Sequence, residues 1–268
     1  MSYNSFTVTK TSPHVGAEIS GLDLTAGLSD GVVADIRAAL CDHGVLFFRD
    51  QPLDPDGLKA VGRRFGELTA HPLKGIPGHP EVRNIYADEK SKHVAGEEWH
   101  SDMSCDPNPP LGSILCIQTL PPIGGDTLFS SMYAAYDTLS DRMKAFLNGL
   151  TATHDGAKAF KRFDPNGKFP AAVHPIITVH PETGRKLIFV NRGFTSHIND
   201  LPDREGEALL SFLYDHCERP EFSTRFVWQK DSVAFWDNRS TQHLAVWDYF
   251  PQKRSGIRVQ IEGAHAAH

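Results

Sequence analysis

Two polar blocks far apart in the chain constrain its fold more than anything else: Trp99-His100-Ser101-Asp102-Met103-Ser104 and Trp236-Asp237-Asn238-Arg239-Ser240-Thr241-Gln242-His243. His100 and Asp102 stand two residues apart, so an extended segment would project an imidazole and a carboxylate from one face. Two histidines and one carboxylate on one face of an octahedral ion leave the opposite positions open, which suits non-haem Fe(II) and O2. His243 can be the third ligand only if the fold lays the second block against the first. A bare H-x-D pattern is weak, since most such pairs are surface coincidences. Its weight comes from two companions: Gly124-Gly125-Asp126-Thr127 between the blocks, and Arg254 and Arg258 after them. A guanidinium grips a carboxylate through two parallel charge-assisted hydrogen bonds, as a small dicarboxylate co-substrate would require.

Composition narrows the class. A chain of 268 residues with 40% hydrophobic and 22% charged residues has ample apolar material for a core and no case for disorder. That length suits one large domain, and no repeat, low-complexity tract or linker divides it, so a single domain over 1–268 is expected. The formal net charge of -6 argues against a nucleic-acid partner. An anionic substrate would need a local cluster of Arg and His acting against the global field. Cys41, Cys105, Cys116 and Cys217 are scattered and read as reduced thiols. No signal-peptide pattern or membrane-length apolar run is seen, so a cytoplasmic protein is expected.

Ser29-Asp30 followed by Val32, Val33, Ile36 and Leu40, with Gly44 beyond, predicts a capped helix. Val45 to Phe48 reads as a buried strand, and Asp54 opens a second helix with Leu58, Val61 and Phe65 on its stripe. These two helices are expected on one face of a sheet. Strands are expected over 111–118, 126–130, 185–191, 223–228, 232–236 and 258–262. Helices are expected from Ser140, with Met143, Phe146, Leu147 and Leu150 inward, and over 203–216, with Leu209, Leu210 and Leu213 inward. The polar run 88–98 reads as a solvated loop able to close over a pocket, and 156–172 as a long insertion loop. Strands carry the ligand blocks and helices flank them, which by itself supports an α+β class, mainly β.

With these residues in view, the sequence resembles the taurine dioxygenase family of Fe(II)- and 2-oxoglutarate-dependent dioxygenases, from Gly16-Ala17-Glu18-Ile19-Ser20-Gly21-Leu22-Asp23-Leu24 to Arg258. The resemblance implies a double-stranded β-helix, a jelly-roll or cupin-like barrel, with the metal at one open end. It implies Fe(II) held by His100, Asp102 and His243, which are then the catalytic residues. It implies 2-oxoglutarate as co-substrate, chelating the metal by one end while Arg254 and Thr127 hold its far carboxylate. His71, Phe160, Phe194 and Arg258 match the substrate pocket, although Phe160 and Phe194 read equally well as ordinary core aromatics. The implied reaction hydroxylates a small organic anion, of the sulfonate, alkyl sulfate or carboxylate class, with O2 consumed and succinate and CO2 formed. Lys74, Gly96 and Met103 depart from the taurine pattern, which points away from taurine towards a bulkier or more anionic substrate. Neither a nucleic acid nor a membrane is expected as partner, and a homo-oligomer is left open.

Two rivals share these residues. A cupin-like binding protein would use the barrel without redox chemistry, since fold does not settle function. Metal-assisted hydrolysis would use the triad without O2. Trp99 and Trp236 read as packing around the site, Trp247 as a wall or core, and His154, His174, His180, His265 and His268 carry no assignment.

Overall fold

The structure, a computed structural model, describes residues 3–70 and 75–263. Its strands are β1 (Thr7–Lys10), β2 (Ala17–Ser20), β3 (Val45–Phe48), β4 (Arg83–Ala87) and β5 (Gly112–Thr119). They continue with β6 (Thr127–Ser131), β7 (Thr151–Asp155), β8 (Ala171–Pro175), β9 (Ile177–Val179) and β10 (Lys186–Ile188). The last five are β11 (Thr195–Ile198), β12 (Ser223–Phe226), β13 (Ser232–Asp237), β14 (Thr241–Ala245) and β15 (Arg254–Ile261). The helices are α1 (Asp30–His43), α2 (Pro55–Arg63), α3 (Met132–Asp137), α4 (Asp141–Leu147), α5 (Gly156–Phe160) and α6 (Asp203–Cys217).

A seven-stranded sheet in the order β1-β2-β3-β13-β5-β15-β4 forms the frame, and a three-stranded sheet, β12-β6-β14, lies against it. Side chains alternate across each central strand, as the pleat requires. Val45, Phe47, Leu115, Ile117, Ala234 and Trp236 face the small sheet and pack with Phe129, Phe226 and Trp228. Leu46, Phe48, Ile114, Cys116, Val233 and Phe235 face the other way and pack with Ile36 and Leu40 of α1 and Leu58 and Val61 of α2. The large sheet is therefore buried on both faces, helices on one and the small sheet on the other. This is the mainly β, jelly-roll class with flanking helices.

Local chemistry explains the helix ends. The Ser29 side chain accepts from Val32 N at the start of α1, and Gly44 closes it at φ 72°. Asp54 caps α2 ahead of Pro55, and Ser140 caps α4. Three expectations need correction. Phe146 points outward at 53% exposure, because α4 is only two turns long and turns Leu147 inward. The 156–172 segment is not loop throughout: Asp155 caps Ala157 N and starts α5, and β8 begins at Ala171. The block from His100 to Ser104 is not a strand; it is a single bridge residue followed by a turn. Among the described residues, no helix is long and apolar enough to cross a membrane.

Phe47 tests the core between the sheets. It is fully buried and stacks on Phe226 across the interface, with centroids 3.9 Å apart. Phe47→Ala is expected to lower unfolding stability by about 3–5 kcal/mol in urea titration, and a loss under about 1 kcal/mol would contradict this packing.

Candidate active site

The two polar blocks meet through backbone hydrogen bonds. His100 N donates to the His243 carbonyl at 3.0 Å, and His243 N donates back to the His100 carbonyl at 2.8 Å. This antiparallel bridge extends the free edge of β14, whose other side pairs with β6. It sets the two imidazole centroids 4.1 Å apart. The turn from β13 into β14 is anchored by a buried charge cluster: Asp237 accepts from His180 Nε2 at 3.0 Å and from Arg239 at 2.7 and 3.0 Å. His180 thus supports the loop that delivers His243.

After His100 the chain turns sharply, with Met103 at φ 51°, and Asp102 comes back beside both rings. Asp102 Oδ1 lies 3.5 Å from His100 Nε2 and 3.9 Å from His243 Nε2. One ligand atom from each of the three residues falls within 4.8 Å of the others, and all three residues are buried. Ser113 Oγ donates to Asp102 Oδ2 at 2.7 Å, Asn238 Nδ2 donates to Ser113 Oγ at 3.2 Å, and Trp236 Nε1 donates to Asn238 Oδ1 at 3.0 Å. Trp236 therefore does more than pack: it fixes the amide that orients the serine holding Asp102.

The electrostatics fit a divalent cation. Burial alone would raise the Asp102 pKa, but the charge of Arg258 foremost, then the two histidines, holds it well below the usual carboxylate range. Burial and then the neighbouring His100 push His243 well below the usual imidazole range, so it offers a neutral ring. His100 Nδ1 donates to the Glu98 carbonyl at 2.8 Å, which turns the ring so that Nε2 faces Asp102. Two imidazoles and one ionised carboxylate are a donor set that Fe(II) accepts.

Beyond the triad the same cavity holds Thr127 and Arg254. Arg254 is 4% exposed and has no ion-pair partner among the described residues; Asp126, the nearest acid in the sequence motif, is taken by Arg225 at 2.6 Å. Arg254 Nε donates to the Gly125 carbonyl at 2.9 Å, while Nη2 is buried without a partner. Burial draws its pKa down. Gly125, at φ 76°, leaves room for this side chain, because a Cβ there would sit 3.0 Å from Arg254 Cδ. Trp228 Nε1 donates to Thr127 Oγ1 at 3.0 Å, which leaves the threonine proton free to donate elsewhere, and the Arg254 guanidinium lies 5.7 Å from the Trp228 ring centre.

Phe160, Phe194 and Met103 form an apolar cluster that lines the cavity. Arg258 lines it too, and its Nη1 donates to Asp102 Oδ1 at 2.9 Å while its buried Nε has no partner. Gly96 has φ 84°, and a Cβ there would lie 3.0 Å from His100 Cε1, so a larger residue would strain the backbone and crowd the ring. Arg162 bonds Glu97 and lies 3.6 Å from Glu98, which joins the 88–98 and 156–172 segments at the cavity. Trp247 is half-buried and does not line the cavity itself; it packs against Ala87, Val94 and Tyr249, and of these Val94 is part of the lining. His71 and Lys74 fall outside the described residues. Sequence reasoning missed Arg83, Ser113, Asn238 and Trp228. Only Arg83 left a trace, as the first of three alternate residues, Arg83, Ile85 and Ala87, that face inward from β4.

Comparison with known proteins gives the family. A yeast protein described as an alpha-ketoglutarate-dependent sulfonate dioxygenase, from Saccharomyces cerevisiae, is 33% identical over 94% of this chain. The chain spans about two thirds of that protein's length, 66%. An alkylsulfatase of Acinetobacter baylyi is 32% identical over 95% of this chain and 84% of its own. A crystal structure described as a taurine dioxygenase from Burkholderia xenovorans superposes with a TM-score of 0.86 at 41% identity, covering 97% of this chain and 92% of that one. The profile of the taurine catabolism dioxygenase TauD, TfdA family matches residues 7–260, and this chain belongs to that family.

Proposed function

We propose that this chain, acting as one domain, is an Fe(II)- and 2-oxoglutarate-dependent dioxygenase that hydroxylates a small organic anion with an apolar body, of the sulfonate or alkyl sulfate kind. Family membership carries the 2-oxoglutarate-dependent chemistry. The observation that carries the site is the buried Arg254 guanidinium, which has no carboxylate partner and opens onto the same cavity as the triad. A buried cation without a counter-charge is costly unless a ligand supplies one. The far carboxylate of 2-oxoglutarate does so, with Thr127 Oγ as a second donor.

In this reading His100, Asp102 and His243 hold the metal. Ser113 and Arg258 keep Asp102 ionised and oriented. Iron bound there supplies the redox chemistry that couples decarboxylation of 2-oxoglutarate, to succinate and CO2, with hydroxylation by O2. Phe160, Phe194 and Met103 exclude water and place the apolar body, while Arg258 faces the anionic head. Taurine is a poor fit: the two glutamates at the cavity, Glu97 and Glu98, both lie against Arg162, and Gly96 carries no side chain to hold an ammonium. A purely binding cupin would have no use for an uncompensated guanidinium beside an open triad. The four free cysteines support a reducing, cytoplasmic setting.

Replacing His100, Asp102 or His243 by Ala is expected to abolish iron-dependent succinate formation with the fold retained, since each removes one of three ligands. Full turnover in any one variant would remove that residue from the ligand set. Arg254→Ala is expected to weaken 2-oxoglutarate binding well over tenfold, because losing a charge-assisted buried pair costs about 2–5 kcal/mol. Unchanged affinity would mean that the carboxylate is held elsewhere, with Arg258 the first candidate.

A further inference from the structure

The turn that receives Arg254 is itself held by two acids and one half-exposed arginine. Arg254 Nε donates to the Gly125 carbonyl at 2.9 Å, and the N–H of Gly125 donates to Asp248 Oδ1 at 2.8 Å. Gly125 is thus tied to the loop after β14 on one side and to the guanidinium it aims on the other. Arg225, on β12, spans both acids: its Nε donates to Asp126 Oδ2 at 2.6 Å and its Nη2 to Asp248 Oδ2 at 3.4 Å. Asp126 is buried and follows Gly125 directly in the chain, near enough for its charge to act on Arg254. A buried guanidinium beside a buried carboxylate ordinarily pairs with it. Here Asp126 is turned to Arg225 instead, and Arg254 Nη2 stays without a partner.

We infer that Arg225 is a positioning residue for the co-substrate: by holding Asp126 and Asp248 it keeps Asp126 off Arg254 and leaves that guanidinium open to the far carboxylate of 2-oxoglutarate. This rests on the dioxygenase reading given above. An acid carried on the residue after Gly125 is an intramolecular ligand for Arg254, and tethering gives it a high effective concentration against any free dicarboxylate. Arg225 removes that competitor from outside the site, since its side chain is half exposed and does not line the cavity. The exposed arginine takes the acids of the chain, and the buried one is left for an acid from solution. A merely structural Arg225 would tie the turn down, and its loss would be felt whatever stood at position 126. A screening Arg225 is needed only while position 126 is an acid.

The test is equilibrium binding of N-oxalylglycine, a 2-oxoglutarate analogue that does not turn over, to the whole chain loaded with Mn(II), with Mn(II) affinity measured separately. Arg225→Gln is expected to weaken N-oxalylglycine about tenfold, the scale of one charge-assisted hydrogen bond, and to leave Mn(II) affinity unchanged; Arg225→Met serves in its place if the glutamine variant does not fold. Asp126→Asn is expected to bind N-oxalylglycine as wild type does, and Arg225→Gln combined with Asp126→Asn to regain most of the lost affinity. Arg225→Lys keeps a charge on Asp126 and is expected to stay close to wild type. Wild-type affinity in Arg225→Gln would overturn the proposal. So would an equal loss in the single and the double variant, since a lost tie on the turn and not a released acid would then be the cause. Failure of the wild-type chain to bind N-oxalylglycine in the presence of Mn(II) would sink the co-substrate reading of Arg254 itself, and this proposal with it.

Discussion

The reciprocal backbone hydrogen bonds between His100 and His243 are the constraint on which the rest of the site depends. They join segments from distant parts of the chain in a fixed antiparallel register, and register decides which face each side chain occupies. Everything around them serves that join. The small sheet carries His243 on β14, and the buried Asp237–His180–Arg239 cluster holds the turn leading into it. The turn after His100 folds Asp102 back, and the Trp236–Asn238–Ser113 chain locks its second oxygen. A donor set built this way is preorganised, so binding a metal does not require the backbone to move.

The cavity works against the charge of the chain as a whole. The protein carries a formal net charge of -6, yet Arg83, Arg254 and Arg258 all face one enclosed space. Concentrating guanidiniums in a low-dielectric pocket costs stability and creates a strong local field for anions. The arrangement divides that field along β15. Arg254 lies at one end, stacked near Trp228 and beside Thr127, and Arg258 lies at the other, against Asp102. One co-substrate with two acidic ends and one substrate with an acidic head are what such a division accommodates.

Much of this was legible in the sequence, for local reasons. Ser29, Asp54 and Ser140 are capping residues, and each caps the helix it announces. The apolar run Val45 to Phe48 became a central strand because both faces of its sheet are covered. His100, Asp102, His243 and Arg254 were singled out through the family resemblance, since an H-x-D pair alone is weak, and the fold brings all four to one cavity. What failed depends on tertiary context. The block at His100 looked extended, but Met103 adopts a positive φ that costs a non-glycine residue roughly 1–2 kcal/mol and that only the surrounding packing can enforce. Phe146 lies on a helix stripe yet points outward, since its helix ends before a second inward turn is complete. Arg83 sits in a short strand of ordinary composition, and nothing local says that Arg258 stands across from it.

The most direct measurement is O2 uptake alongside succinate release, with Fe(II), 2-oxoglutarate and an alkyl sulfonate or alkyl sulfate present. The account predicts one O2 consumed for each succinate formed, with uptake stimulated by the anion and lost when iron is chelated. Product formed from the anion with no O2 consumed would mean that the triad serves hydrolysis. No succinate and no O2 uptake under any of these conditions would mean that the cavity only binds.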